Sequence, residues 1–310
     1  MKDPTMTQPS PASPLLKLTL PKGRIQEKLL VLLGDMGLTL STSSRSYRPV
    51  CNDPRLDVKV LKPQNIASLV GLGRHDCGFT GADWVAEQQA DVVELLDLGL
   101  DPVSIVAALP EALLAEVGNP LEGAQLPNGR PWLVASEYPV LTQTWLAKHA
   151  INSTYVRSYG ATEALPPDDA DMIVDNTATG STLRQNRLAI VATVMTSTTR
   201  LIANKQVMDD PAKRVVLEEM VMLMEACLRA RNKVLVEMNV EAERVEALLA
   251  SVPAMRSPTV SPLHGANPAG QNGFAIKIAV DRLALPALLP TLKAAGAQDI
   301  LVYKLEKILP

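Results

Sequence analysis

The chain has 310 residues, a net charge of −3 and 47% apolar residues, the profile of a globular protein of two or three domains. Aromatic residues make up only 3% and no basic run occurs, which excludes base-stacking recognition of nucleic acid and leaves no electrostatic footprint for a phosphate backbone. Three scattered cysteines (Cys51, Cys77, Cys227) and three scattered histidines (His75, His149, His264) supply neither a CxxC pair nor a zinc-ligand spacing.

Residues 1–14 are polar and proline-rich and read as a disordered leader. No signal-peptide pattern and no bilayer-long apolar run follow, so no membrane partner and a cytoplasmic location are expected. Leu15–Leu20 reads as a strand stopped by Pro21, and Ile25–Met36 as a helix with Ile25, Leu29, Leu32 and Leu33 on one face. Between them lie Lys22 and Arg24, two cations at the unfavourable end of a helix, which points to an anionic ligand. Further strands are expected at Val58–Leu61, Cys77–Thr80, Val92–Leu98 and Val103–Leu109, alternating with helices at Ile66–Val70 and from Trp84. Asp83 falls in the first turn of the latter helix, where a carboxylate can cap it. Alternating strands and helices predict an α/β sheet whose ligands lie outside the carboxyl ends of strands.

A Gly/Pro/Asn-rich stretch at 116–130 separates a second lobe, with strands at Pro131–Ala135 and Ser153–Arg157 and a helix at Val140–His149. Then comes Asp171-Met-Ile-Val-Asp175-Asn-Thr-Ala-Thr-Gly180-Ser-Thr-Leu183, read as a buried strand, a small hydroxyl-rich loop and a helix start. Thr177, Ala178, Thr179, Gly180, Ser181 and Thr182 can cup a phosphate with backbone N–H groups and hydroxyls. Asp175 would repel a phosphate, so it suits ribose hydroxyls or a phosphate-bound metal. Strands at Leu188–Val194 and Thr199–Asn204 return toward the first lobe. Asp210-Pro211 is a strong helix start, and the helix extends to about Arg231. From Lys233 the order β-α-β-β-α-β predicts a ferredoxin-like domain.

With a basic loop on one lobe, a hydroxyl-rich cup on the other, and Glu163, Asp175, Arg45 and Lys62 between, the cleft suits two phosphorylated substrates or one with two anionic ends. No Ser–His or Cys–His pair, dinucleotide fingerprint or P-loop is present, which leaves group transfer by positioning and charge stabilisation. Leu20-Pro-Lys-Gly-Arg24, Gly78-Phe-Thr-Gly-Ala-Asp83, Tyr138-Pro139, Gly160-Ala-Thr-Glu163, Asp175 to Leu183, and Ser257-Pro-Thr-Val-Ser-Pro-Leu263 with Ile300-Leu-Val-Tyr303 occur in one order. In that order the chain resembles the long form of the ATP phosphoribosyltransferases.

The resemblance implies transfer of the phosphoribosyl group of 5-phosphoribosyl diphosphate to ATP, as the first step of histidine biosynthesis. It also implies Mg2+ as cofactor, histidine as feedback inhibitor and a homo-oligomer ranging from dimer to hexamer. The fold implied is a catalytic core of two lobes like type 2 periplasmic binding proteins (15–108 plus 193–231, and 109–192), followed by a ferredoxin-like, ACT-like regulatory domain at 232–310. On this reading Thr177–Thr182 hold the ribose 5-phosphate, Glu163 and Asp175 the ribose hydroxyls, and Lys22 and Arg24 face ATP or diphosphate. Arg45, Lys62 and Asp83 become candidates for contact with ATP, and Ser257 and Thr259 for contact with histidine. Two departures from the family pattern stand out: Glu137 where many members carry lysine, and Lys62-Pro-Gln-Asn65 where arginine, proline and an aspartate are more usual.

Overall fold

The structure, a computed structural model, describes residues 16–41, 47–251, 258–265 and 272–309. The expected leader, Arg45 and Ser257 lie outside the described residues. Two compact units are present: one holds the described residues up to Leu217 apart from Leu32–Gly37, and the other holds Leu32–Gly37 and the chain from Glu218.

The first unit opens with β1 (Leu16–Pro21), α1 (Arg24–Met36), β2 (Leu40–Ser41), β3 (Val50–Cys51), β4 (Leu56–Leu61), α2 (Pro63–Gly71), β5 (Cys77–Gly81), α3 (Ala82–Glu87) and β6 (Val92–Asp97). It continues through β7 (Val103–Pro110), α4 (Glu111–Val117), β8 (Trp132–Ser136), α5 (Pro139–Lys148), β9 (Ser153–Arg157), β10 (Met172–Thr177), α6 (Ser181–Gln185), β11 (Leu188–Ser197) and β12 (Thr199–Asn204). Ten of these strands form two five-stranded mixed sheets, ordered β4-β1-β5-β12-β6 and β11-β7-β10-β8-β9, while β2 and β3 pair with each other alone. The lobe boundaries expected at 108/109 and 192/193 fall inside β7 and β11, and both of these strands belong to the second sheet. Hydrophobic patterning marks a strand without naming its neighbour. Here the antiparallel pairing of β7 with β11, from Val103↔Ser197 to Pro110↔Leu188, settles the membership.

The chain crosses between the sheets twice, at residues 98–102 and at Thr198, and the crossings are tied together. Leu98 N–H donates to the Thr199 carbonyl at 3.0 Å, and Thr199 N–H to that of Leu100 at 2.9 Å. Asp97 accepts from the Thr198 hydroxyl at 2.7 Å and from the Gly99 amide at 2.9 Å. Burial works against ionisation of Asp97, but these donors and Arg200 outweigh it and hold the carboxyl below its ordinary range.

Helix packing onto the first sheet is close. A Cβ built at Gly78 would lie 1.9 Å from Thr19 Oγ1 and 2.8 Å from a methyl carbon of Ile66 on α2. Thr19 and Ile66 are fully buried, so neither can withdraw without displacing core. Gly78→Ala is expected to lower stability by about 1–3 kcal/mol, read as a reduced urea midpoint with an unchanged slope. A midpoint equal to the parent's would show that the α2 contact relaxes freely.

The long helix α7 (Pro211–Arg231) begins as its sequence predicts: Asp210 Oδ1 accepts from the amides of Ala212 at 3.0 Å and Lys213 at 3.3 Å. In the second unit β13 (Lys233–Glu241), α8 (Val245–Ser251), β14 (Thr259–Pro262), β15 (Gly273–Asp281), α9 (Leu285–Ala294) and β16 (Gln298–Lys304) follow the expected β-α-β-β-α-β order. They make an antiparallel sheet ordered β14-β15-β13-β16. Strict alternation in β13 sends Val234, Val236, Met238 and Val240 into a core with Ile276, Ile278, Leu248 and Leu292.

Candidate active site

The hydroxyl-rich loop leaves the carboxyl end of β10, whose Ile173 and Val174 are fully buried. β10 extends to Thr177, and its neighbour β7 puts Ser104 opposite Thr177. Gly180 takes the left-handed conformation (φ 71°) that turns the chain into α6. The loop is closed by its own hydroxyls. Gly180 N–H donates to Thr177 Oγ1 at 2.9 Å, and the Thr179 hydroxyl donates to Ser181 Oγ at 3.0 Å. Ala178, Thr179, Ser181 and Thr182 are exposed. α6 is only five residues long, so its dipole is small, and the capacity of this cup for an anion rests on its amides and hydroxyls. Ala178 also borders a cavity of about 320 Å³ with Ser104, Thr196, Thr198 and Arg200.

Asp175 stands at the base of the cup. Burial pushes its carboxyl up to about 6, the amide of Asn176 (2.7 Å from Oδ1) partly opposes this, and the charges of Glu137 and Glu163 raise it further. Three carboxylates therefore share one neighbourhood: Glu137 just after β8, Glu163 in the short 3-10 turn Thr162–Ala164 that follows β9, and Asp175 near the end of β10. Among the described residues no set of three His, Cys, Asp or Glu side chains is arranged to hold a metal ion. One or two carboxylates completed by phosphate oxygens is nonetheless a donor set that magnesium accepts, and Asp175 with Glu163 fits it.

The other predicted residues fall around two further features. Lys22 is exposed, with its Nζ 5.3 Å from the centre of the Tyr47 ring. Arg24 is the first residue of α1, and its Nε lies 3.0 Å from Asp101 Oδ1. Lys62 precedes α2 and lines a cavity of about 600 Å³ with Gln64, Trp84, Glu137, Arg157 and Tyr159, side chains of both lobes. Gln64 Oε1 is buried with no hydrogen-bond partner among the described residues. Thr259 is exposed on β14, in the second unit.

Asp83 does not cap α3. It is 4% exposed and bridges the lobes: Ser197 Oγ donates to Oδ1 at 2.6 Å and Tyr138 Oη to Oδ2 at 3.0 Å. Its burial leaves little surface for a nucleotide, in contrast to Lys62. Asn176 Nδ2 in turn reaches Tyr138 Oη at 3.3 Å and Asp175 Oδ1 at 3.3 Å. A polar chain thus runs from the start of α3 to the base of the cup. Burial, and then the charge of Asp83, push the Tyr138 hydroxyl far up, so it remains a donor at any physiological pH. Nearby, Glu87 accepts from the amides of Val140 at 3.1 Å and Leu141 at 2.9 Å at the start of α5. Sequence reading missed the bridging roles of Tyr138, Ser197 and Glu87. The only signals were the Tyr138-Pro139 pair at a helix start and buried acids in an otherwise apolar α3.

Two α/β sheets joined by two tied crossings, with polar loops at strand ends around clefts between them, define a two-lobed α/β protein followed by a small antiparallel domain. The family model described as ATP phosphoribosyltransferase matches residues 62–226, and that described as "HisG, C-terminal domain" matches 230–307. An ATP phosphoribosyltransferase of Pelodictyon phaeoclathratiforme is 39% identical over 300 residues, covering 95% of this chain and 98% of the relative. One from Prosthecochloris aestuarii is 38% identical over 305 residues, covering 97% and 99%. Among solved structures, the Thermotoga maritima ATP phosphoribosyl transferase (HisG:HisZ) complex contains a chain that aligns at a TM-score of 0.57 and 25% identity, covering 68% of this chain and 98% of that one. The chain belongs to the ATP phosphoribosyltransferase family, in the long form that carries the C-terminal domain.

Proposed function

We propose that the protein transfers the 5-phosphoribosyl group of 5-phosphoribosyl diphosphate to N1 of ATP, giving N1-(5-phosphoribosyl)-ATP and diphosphate, the first step of histidine biosynthesis. The observation that carries this reading is the placement of a hydroxyl-rich cup directly after Asp175, with Glu163 near enough to raise that carboxyl, in a chain of this family. Thr177, Ala178, Thr179, Gly180, Ser181 and Thr182 hold the ribose 5-phosphate through amides and hydroxyls. Asp175 and Glu163 accept hydrogen bonds from the ribose hydroxyls. As diphosphate departs, positive charge grows on the sugar, and the two carboxylates stabilise it without moving. Lys22 and Arg24 bind the departing diphosphate. Lys62 and Tyr159 offer ATP a cation and an aromatic surface. Asp175 and Glu163 would help to hold magnesium, which would supply positive charge opposite the leaving diphosphate.

The two lobes correspond to a type 2 periplasmic-binding-protein-like core, and the β-α-β-β-α-β domain to an ACT-like regulatory domain that binds histidine near Thr259. A cytoplasmic homo-oligomer, from dimer to hexamer, completes the reading. No helix among the described residues is long and apolar enough to cross a membrane. The deciding assay mixes purified protein with ATP, 5-phosphoribosyl diphosphate and magnesium, and follows the ultraviolet absorbance of the phosphoribosyl-ATP product with and without histidine. Product is expected, and histidine is expected to suppress it. Absence of product from folded protein overturns the enzymatic reading, and turnover indifferent to histidine overturns the regulatory part.

A further inference from the structure

Asp101 lies in the first crossing between the sheets, outside every motif used so far, yet it is built as a receiving site for cations. Its backbone is left-handed (φ 52°), a conformation that asparagine and aspartate tolerate better than other non-glycine residues. Its side chain is only 8% exposed. Into that carboxylate come Lys28 Nζ at 2.8 Å and Arg24 Nε, which lies 3.0 Å from Oδ1 and 3.2 Å from Oδ2. Both cations belong to the first turns of α1, where the helix dipole disfavours positive charge, and the carboxylate offsets that.

Only Nε of Arg24 is engaged among the described residues, and the four N–H donors on its two terminal nitrogens are left over. The location matters as much as the pairing. Ser104, three residues beyond Asp101, is the register partner of Thr177, where the cup begins. Three residues span at most about 11 Å. The crossing thus carries Arg24 of the first lobe to the neighbourhood of the cup on the second.

We propose that Asp101 is a positioning residue for phosphoribosyl transfer: it grips Arg24 by Nε and fixes the terminal nitrogens as a preset fork for the diphosphate group. The inference rests on the transferase reading given above, in which Arg24 meets diphosphate. A planar guanidinium held at one nitrogen still offers two parallel donors to phosphate oxygens. Holding it in place beforehand removes side-chain freedom that would otherwise be lost in the transition state.

The test compares Asp101→Asn, which keeps size and backbone tolerance, with Arg24→Met and the double variant, in the full-length protein. Two readouts are used: steady-state kinetics, and the Kd for inorganic diphosphate by calorimetry without turnover. Asp101→Asn is expected to lower kcat/KM for 5-phosphoribosyl diphosphate roughly 10- to 100-fold, to weaken diphosphate binding in parallel, and to leave KM for ATP within about twofold. The double variant is expected to be no worse than Arg24→Met, because Asp101 acts through Arg24. If Asp101→Asn and Arg24→Met multiply independently, or Asp101→Asn lowers only the melting temperature, the positioning role is overturned. If Arg24→Met itself leaves both readouts at parent values, the role of Arg24 at diphosphate fails, a result distinguishable from failure of Asp101 alone.

Discussion

Asp175→Asn is expected to make the protein more stable at pH 7–8 and much less active. The carboxyl titrates near 6, above the value of about 3.9 for an unfolded aspartate, because the fold buries it beside Glu137 and Glu163. Between these two values the folded chain holds a proton that the unfolded chain has released, so stability falls as pH rises from about 4 to 6. Above that window the full cost remains, about 3 kcal/mol. Asparagine keeps an acceptor for the Asn176 amide and carries no charge. The variant should therefore unfold at higher urea than the parent at pH 8, with the difference shrinking below pH 6 and vanishing near pH 4. Turnover should drop by at least about two orders of magnitude, since a preset charge opposite the developing sugar cation is lost. Equal urea midpoints across that pH range would refute the electrostatic account. Parent-like turnover would refute the role at the ribose.

The second large effect is expected at the lobe bridge. Asp83→Ala strips the acceptor from Tyr138 Oη and Ser197 Oγ, two donors on side chains that are 1% and 3% exposed. Each buried donor left without a partner costs about 1–3 kcal/mol. A total loss of about 2–6 kcal/mol follows, visible as a fall in the chemical-denaturation midpoint. Tyr138→Phe removes the bonds of Tyr138 Oη to Asp83 and Asn176 but leaves Asp83 with Ser197 and no buried hydroxyl unpaired, so it should lose distinctly less. A melting curve for Asp83→Ala that overlays the parent's would mean the bridge carries no net stability. Because Asn176 joins Tyr138 to Asp175, the same variant should also raise KM for 5-phosphoribosyl diphosphate.

What could be read directly from the sequence were features of short range. Alternation located β13, and the Asp210 cap with Pro211 placed the start of α7, because both signals lie within a few residues of what they predict. The order β-α-β-β-α-β was legible for the same reason. α4 escaped notice because Glu111–Val117 is only two turns long and runs into the Gly/Pro/Asn-rich stretch, so its Leu113, Leu114 and Val117, which pack partly buried against the core of the second sheet, give too short a periodic signal. The strand pairings of β7 and β11 escaped because residues 78 (Pro110 and Leu188) to 94 (Val103 and Ser197) positions apart meet by topology, which periodicity does not encode. The candidate site divides along the same line. The cup and Asp175 are contiguous and stood out. The partners of Asp83 lie 55 and 114 positions away, and Asp101 sits 77 positions from Arg24 in a segment that reads as an ordinary loop. Asp83 itself misled, since an acid in a first turn looks like a cap whether or not its carboxylate turns toward the amides.

The strand order of the first sheet also bears on how a ribosome delivers this chain. β6 lies at the sheet's edge, and its one neighbour is β12, which also pairs with β5. Everything from β7 to β11 is synthesised before that neighbour exists. At about 5–20 residues per second, β6 waits on the order of 5–20 s with its edge groups unpaired. The second sheet needs nothing from β12, so it can close first and bring its two tied ends together as a template. Closure of the first sheet is then the late and slow event of biogenesis, and the nascent intermediate with β5 and β6 both lacking β12 is the species most exposed to strand-edge aggregation and most dependent on chaperones.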